Sequence, residues 1–213
     1  MTPEQWQLTL ETTSVEETEA AGVIVGRGLT GGEVIALEGG LGAGKTVFIR
    51  GLARGLEIPE DEISSPTFVF LHEHHGRLPL AHIDLYRIES PSDATDLGIT
   101  DYLEGSPQAW PGAAAGSGGI GASAEGGAHG PPAIKGSWVA AIEWAEKAAG
   151  FLPDHRLTIR MSETGTRRRR LVLSTRNSFY EAILKALRER FCAKAGKEGT
   201  DLKSVPVQET DNA

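Results

Sequence analysis

Val34-Ile35-Ala36-Leu37-Glu38-Gly39-Gly40-Leu41-Gly42-Ala43-Gly44-Lys45-Thr46-Val47-Phe48-Ile49 is the stretch on which the fold turns. Val34 to Leu37 is a short all-apolar run, as a strand buried on both faces should be. A glycine-rich turn follows, then Phe48, Ile49, Leu52, Ala53 and Leu56 at helical spacing. Gly39 to Thr46 match G-x-x-x-x-G-K-S/T without a mismatch. At average composition that pattern arises by chance on the order of once in a hundred in a chain of this length. The bland reading is an ordinary Gly-rich turn after a strand. The strand before it and the helix after it are the context that phosphate binding needs. Successive backbone N–H groups must wrap a phosphate closely, and side chains would obstruct them. The following helix aims its unpaired N–H groups and positive dipole end at the same anion. Gly39, Gly40, Leu41, Gly42, Ala43 and Gly44 therefore form the cradle. Lys45 reaches the β- and γ-phosphates, and the Thr46 hydroxyl is a ligand for Mg²⁺.

Outward from this unit, Ser14-Val15-Glu16-Glu17 reads as a capping box that opens a helix running to about Gly28. Thr67 to Glu73 and Leu80 to Arg87 read as strands, and Ser92 to Leu103 as a short helix. Val139 to Trp144 is a further strand. Leu157, Ile159 and Met161 alternate with polar residues, and a turn at Ser162 to Gly165 leads to Arg170–Ser174, a hairpin pattern. Ser178 to Phe191 carries one apolar helical stripe. Helices interleaved with buried strands predict an α/β fold. The expected form is a three-layer P-loop NTPase fold, with a mostly parallel sheet and a C-terminal antiparallel hairpin.

The chain has 213 residues, 39% hydrophobic, with 21 Lys+Arg against 29 Asp+Glu. Residues 105–136 hold 10 Gly, 8 Ala and 4 Pro against two charges, Glu125 and Lys135. Such a segment cannot pack a core and predicts a mobile insert. Residues 192–213 form a polar tail expected to fray. About 160 residues remain, so residues 1–191 form one domain, insert included. A single cysteine, Cys192, excludes a disulfide framework and a multi-Cys zinc site. No apolar run approaches the ~20 residues of a membrane span. The start, "MTPEQWQLTL", lacks a basic flank before an apolar core, so no signal peptide and a cytoplasmic protein are expected. A net charge of −8 opposes nucleic-acid binding through the overall field, though not through a local basic patch.

A phosphate loop needs a carboxylate from a neighbouring strand to hold Mg²⁺ or its water shell. Asp84 follows Leu80-Ala81-His82-Ile83, and Glu143 follows Val139-Ala140-Ala141-Ile142. In a parallel sheet both strand ends open on the same edge as the loop. Either acid could instead lie in solvent, and Asp84 could cap a helix, but a phosphate loop in the same chain favours function. Ser65-Pro66-Thr67 precedes a strand. Pro66 holds the backbone extended, which either presents Thr67 to a γ-phosphate or simply starts the strand. His72, His74 and His75, with His82 nearby, lack a metal-ligand pattern and read as a polar hairpin tip. Trp144 is either core or a cover for nucleotide. The run Arg167-Arg168-Arg169-Arg170 alternates faces on a strand, which sends two arginines toward one partner, be it nucleotide, RNA or solvent. Cys192 has no paired His motif.

"GGLGAGKT" at Gly39, "SPTF" at Ser65, "HIDLYRI" at His82, "DATDLGITDYL" at Asp93 and "AIEWAE" at Ala141 occur in the order of the bacterial TsaE family, which the chain resembles from Ser14 to Ser174 apart from the insert. The resemblance implies a small P-loop ATPase of tRNA N6-threonylcarbamoyladenosine biosynthesis. It implies binding to the complex of TsaD, the transferase subunit, and TsaB, and through that complex an indirect link to tRNA, with no membrane partner. ATP hydrolysis would support repeated modification of adenosine 37 in tRNAs reading ANN codons. Carried over by motif, Gly39 to Thr46 cradle ATP, Thr46 and Glu143 ligate Mg²⁺, and Asp84 is an essential acid near the metal and the attacking water. Thr67 is the switch-like threonine and Trp144 the nucleotide-proximal tryptophan. Arg167 resembles a nucleotide-contacting arginine, and Thr18 a position close to the adenine. Gly40 departs from the family's usual acid and Ala145 from its usual Pro. The insert replaces a short connection.

Two other readings share the loop. A small-molecule or nucleotide kinase would carry an Arg-rich lid, and the insert has no Arg. A non-hydrolysing nucleotide-dependent scaffold would not need both Asp84 and Glu143. A GTPase would show Asn-Lys-x-Asp or Asp-x-x-Gly, and neither occurs. Lacking an evident arginine finger, the chain is expected to turn over slowly until a partner completes or gates the site.

Overall fold

The computed structural model describes residues 4–59, 63–67, 69–88, 99–103, 138–192 and 203–206. The insert at 105–136 lies outside the described residues, as do the helix expected from Ser92 except for its last turn and most of the tail. Among the described residues, eight strands form one sheet: β1 Glu4–Thr12, β2 Val34–Glu38, β3 Leu71–His74, β4 Leu80–Asp84, β5 Val139–Glu143, β6 Leu157–Gly165, β7 Arg168–Thr175 and β8 Lys203–Pro206. The helices are α1 Val15–Gly28, α2 Lys45–Gly55, α3 Ile99–Leu103 and α4 Glu181–Cys192, with short 3-10 turns at Ala145–Ala148 and Ser178–Tyr180.

The strand order is β3-β4-β5-β2-β6-β7-β1-β8. Only the centre is parallel: β4 with β5, β5 with β2, and β2 with β6. The expectation of a mostly parallel sheet is corrected on both flanks. The expected β6–β7 hairpin forms, but Ser162 to Gly165 extend β6 and the turn falls at Thr166 and Arg167; β3, β1 and β8 also pair antiparallel. Strand β1 lies before the first element read from sequence, and β8 lies in the tail expected to fray. The strand expected at 67–73 begins only at Leu71. Before it, Pro66 O accepts from the N–H groups of Val69 and Phe70 at 3.0 and 2.7 Å, and Phe70 takes φ +66°, so the chain turns there instead of extending.

Side-chain alternation along the central strands divides the interior in two. Ile35, Leu37, Leu80, Val139, Ala141, Leu157 and Ile159 face α1, α2 and α4. Val34, Ala36, Ala81, Ile83, Ala140 and Ile142 face α3 and the turn after β5. Strands β2 and β5 are apolar up to their terminal acids because both of their faces are covered.

Glycine sets how closely α1 lies on α2. A Cβ on Gly22 would meet Phe48 O, and one on Gly26 would meet Leu52 O. One on Gly51 would meet Glu19 O, and one on Gly55 would meet Val23 O, all closer than 3.0 Å. Arg77 ties off the far end, donating from Nη1 to Leu29 O at 3.0 Å and from Nε to Gly55 O at 3.3 Å, so one guanidinium serves carbonyls at the ends of both helices. The other end of α1 is capped as the sequence predicts. Ser14 Oγ accepts from the Glu17 N–H at 3.3 Å, and the Glu17 carboxylate reaches back to the Thr13 N–H at 2.8 Å. The close seam brings the start of α1 beside the start of α2. Gly51→Ala tests it. Helix propensity alone would favour alanine by about 1 kcal/mol, whereas a Cβ set 2.0 Å from the Glu19 carbonyl oxygen puts the overpacking cost at the upper end of its range, about 3 kcal/mol. The expected result is a melting temperature lower by several degrees; an unchanged or higher value would contradict the seam.

Candidate nucleotide and metal site

Strand β2 ends at Glu38, and the chain turns through Gly39 to Gly44 into α2. Gly39, Gly42 and Gly44 have φ of +137°, +76° and +100°, conformations that favour glycine. A Cβ at Gly39 would also drive into the carbonyl oxygen of Met161 on β6, whereas one at Gly40 would meet nothing within 4 Å. The site therefore has room for an acid at Gly40 as well as for the glycine present. Gly44 is the N-cap of α2 and supplies no side-chain hydrogen bond. The first N–H groups of α2 are thus not capped by a side chain there and suit an anion. Leu41, at the loop tip, is 83% exposed.

Lys45 opens α2 and folds back over the loop. Its Nζ donates to Gly39 O at 2.6 Å and Gly40 O at 2.9 Å, and lies 3.7 Å from the centroid of the Trp144 ring. Burial pushes the ammonium below the ordinary lysine pKa, and the charges of Glu143, Glu146 and Asp84 act against that shift. Trp144 itself has φ +59° and packs on Tyr86 with ring centroids 5.1 Å apart.

Asp84 and Glu143 end β4 and β5 in direct register, and Glu143 is also in register with Leu37 of β2. Paired residues in parallel strands share a face, so both acids project toward the side that carries α2. The Thr46 hydroxyl donates to Glu143 Oε1 and Oε2 at 2.9 and 3.0 Å. His82 Nε2 lies 2.9 Å from Glu143 Oε1. Asp84 Oδ2 accepts from the hydroxyls of Ser65 and Thr67, each at 2.7 Å, and Oδ1 accepts from the Tyr86 N–H at 2.8 Å. Thr67 is thereby held at the acid, with its backbone in a turn instead of at a strand start. Lys147 Nζ, donating to Ile88 O at 2.9 Å, braces the segment after Asp84 against the turn after Glu143.

The donors suit Mg²⁺. All are hard oxygens: one hydroxyl and two carboxylates. Among the described residues no group of three or more His, Cys, Asp or Glu could hold a metal ion.

Thr18 and Arg167 share a cavity of about 140 Å³ with Ser14, Gly42, Gly44 and Arg169. The Thr18 hydroxyl is turned inward, 2.7 Å from Thr12 Oγ1 and 3.2 Å from Ser14 O, while its methyl carbon lies toward Gly44. Thr18 thus offers an apolar wall. Sequence reasoning missed Arg169, whose Nη2 donates to Gly42 O at 3.0 Å. Its signal was partly present: Arg169 and Arg170 are neighbours on β7 and diverge, Arg169 to this cavity and Arg170 to Glu11 at 2.9 Å, while Arg167 reaches the cavity from the turn before the strand. It also missed Ser65 and His82. His72 and His74 lie in strand β3 and His82 is fully buried in β4, so these three are not a hairpin tip. Burial and the neighbouring His82, His72 and His75 hold His74 down to about 4. A larger polar hollow of about 280 Å³ lies against the opposite face of β6 and β7. It contains none of the sequence-predicted residues, and its Arg160 already pairs with Glu38 at 2.6 Å.

The family model described as threonylcarbamoyl adenosine biosynthesis protein TsaE matches residues 12–111. That span takes in the loop, Thr67 and Asp84 and stops short of Glu143. The chain is similar to the tRNA threonylcarbamoyladenosine biosynthesis protein TsaE of Treponema pallidum, 38% identical over 146 residues, 68% of this chain and 84% of that protein. It is similar to the protein of the same name from Bacillus subtilis, 32% identical over 182 residues, 85% of this chain and 94% of that one. An alignment of that length has to include both Gly39 and Glu143. The crystal structure of Bacillus subtilis YdiB matches with a TM-score of 0.58 at 28% identity, covering 86% of this chain and 95% of that one.

Proposed function

The chain belongs to the TsaE family, and we propose on that footing that it is a cytoplasmic P-loop ATPase whose ATP binding and hydrolysis support N6-threonylcarbamoyladenosine formation at adenosine 37 of tRNAs reading ANN codons. Its partners on this reading are TsaD and TsaB, with tRNA engaged through them. The observation that carries it is the convergence, on one face of the sheet, of the glycine loop, the Thr46–Glu143 pair and the Asp84 carboxylate. No helix among the described residues is long and apolar enough to cross a membrane.

The chemistry is positional and electrostatic. The loop N–H groups from Gly39 to Gly44 and the start of α2 bind the phosphates. Lys45 exchanges its loop carbonyl partners for β- and γ-phosphate oxygens and offsets charge growing on the bridge oxygen as the β–γ link breaks. Thr46 and Glu143 would hold Mg²⁺, which when bound would further neutralise the phosphate oxygens. Asp84, fixed by the Ser65 and Thr67 hydroxyls and the Tyr86 N–H, orients the attacking water through the remaining lone pair on Oδ1. Trp144 covers Lys45, and the cavity of Thr18, Arg167 and Arg169 receives the rest of the nucleotide. The presence of both Asp84 and Glu143 counts against a non-hydrolysing scaffold.

The test is ATP hydrolysis by the purified chain, alone and with TsaB and TsaD. Slow Mg²⁺-dependent turnover alone, raised by the complex, is expected. Equal fast rates in both would remove the gating role. Absence of nucleotide binding, or phosphate transfer to a metabolite, would overturn the ATPase reading.

A further inference from the structure

His82 has no solvent exposure and sits in the middle of a strand whose other residues on that face are Leu80 and Asp84. A leucine would fill such a position more cheaply, because a buried imidazole must lose its water. One of its nitrogens is engaged: Nε2 lies 2.9 Å from Glu143 Oε1. The other, Nδ1, is buried with no hydrogen-bond partner among the described residues. An ionised carboxylate only accepts, so the ring proton belongs on Nε2.

The register explains how the ring gets there. Ala141 stands beside His82 on β5, and Glu143 is two residues further along the same strand. The methyl of Ala141 leaves space in which the imidazole leans along the sheet to the carboxylate. Glu143 Oε1 then takes contacts from both His82 and Thr46, while Oε2 takes one from Thr46. Without His82 the carboxylate is free to rotate about its last bond with only the short Thr46 hydroxyl to restrain it.

We propose that His82 is a positioning residue: its Nε2–H fixes the plane of the Glu143 carboxylate so that this group and the Thr46 hydroxyl meet the nucleotide-bound divalent ion together. The proposal rests on the reading of Glu143 as a Mg²⁺ ligand. A ligating carboxylate is ordinarily held by such an outer hydrogen bond.

The test is the affinity of a fluorescent ADP analogue, measured once with EDTA and once with Mg²⁺, in the full chain. His82→Leu is expected to match wild type with EDTA and to bind about 10–100-fold more weakly with Mg²⁺. His82→Gln, whose amide nitrogen reaches a similar place, is expected to recover most of the loss. In a Glu143→Gln background His82→Leu should add nothing further. Equal binding by His82→Leu and wild type in both conditions would overturn the proposal. So would a loss of the same size with and without Mg²⁺, which is what a merely structural role gives, or a folded His82→Gln that recovers nothing. If His82→Leu does not fold, His82→Asn replaces it: its shorter amide falls short of Glu143, so the same Mg²⁺-specific loss is expected, and wild-type behaviour would count against the idea. A wild-type chain whose ADP affinity ignores Mg²⁺ overturns the reading of Glu143, and this inference with it. Mg²⁺-dependent wild type with indifferent His82 variants overturns this inference alone.

Discussion

Replacing Lys45 with alanine is expected to lower ATP turnover by at least about two to three orders of magnitude, the usual cost of removing a preorganised group aimed at developing transition-state charge. The side chain is 4% exposed and closes over the glycine loop, where on the proposed reading its ammonium would meet the terminal phosphates in a setting largely screened from water. The fold should survive, because the deleted contacts are two loop carbonyls and one ring face and the apolar core is untouched. Lys45→Arg is expected to fail as well. A guanidinium is planar and broader than the ammonium, and the slot between Gly39 O, Gly40 O and Trp144 is built around a point charge. Steady-state phosphate release, with a melting curve as control, checks both. A folded Lys45→Ala protein that retains its turnover would remove the loop from the chemistry.

Asp84→Asn should separate binding from turnover. The amide keeps the size of the carboxylate, so the backbone bond from Asp84 N–H to Phe70 O and an acceptor for the Tyr86 N–H are preserved. It brings an NH₂ group or a weaker acceptor to the place where Ser65 and Thr67 both donate. Orientation of the water is lost, and the effect on kcat is expected to be about 10²–10⁴-fold, the range for a positioned acid–base group. Nucleotide affinity should change little, since the cradle is formed by residues 39–46. Rapid-quench measurement of ATP cleavage beside equilibrium nucleotide binding makes the distinction. A variant with kcat intact, or one that loses affinity in proportion to kcat, would take Asp84 out of its assigned place.

The contrast between these residues shows what the sequence made legible. The β2–loop–α2 unit was readable because its signals are contiguous: an apolar strand, glycines, Lys45, and a helical stripe, all local. The positions of Asp84 and Glu143 at strand ends were readable because an acid closing an apolar run is conspicuous in a chain with such a glycine loop. The antiparallel flanks were less so. Strand β1 carries an alternation of Trp6, Leu8 and Leu10 with Gln5, Gln7 and Thr9, but its place is fixed by pairing with β7, some 160 residues away. Residues 67–70 looked like the start of a strand, and the turn there depends on bonds to Pro66 O and on the left-handed backbone of Phe70. His82 looked like one of four neighbouring histidines; its distinction lies in Glu143, 61 residues on. The α1–α2 seam was hidden for the same reason. Gly22, Gly26, Gly51 and Gly55 each weaken a helix on their own and make sense only once the two helices touch.

The most direct test of the central claim is a crystal structure with a non-hydrolysable ATP analogue and Mn²⁺, read by the anomalous signal of the metal. The expected result is triphosphate density wrapped by residues 39–46, with the Mn²⁺ peak between the phosphates, Thr46 and Glu143, and Asp84 facing the γ-phosphate. Analogue and metal bound instead in the hollow on the opposite face of β6 and β7, with the glycine loop empty, would contradict it.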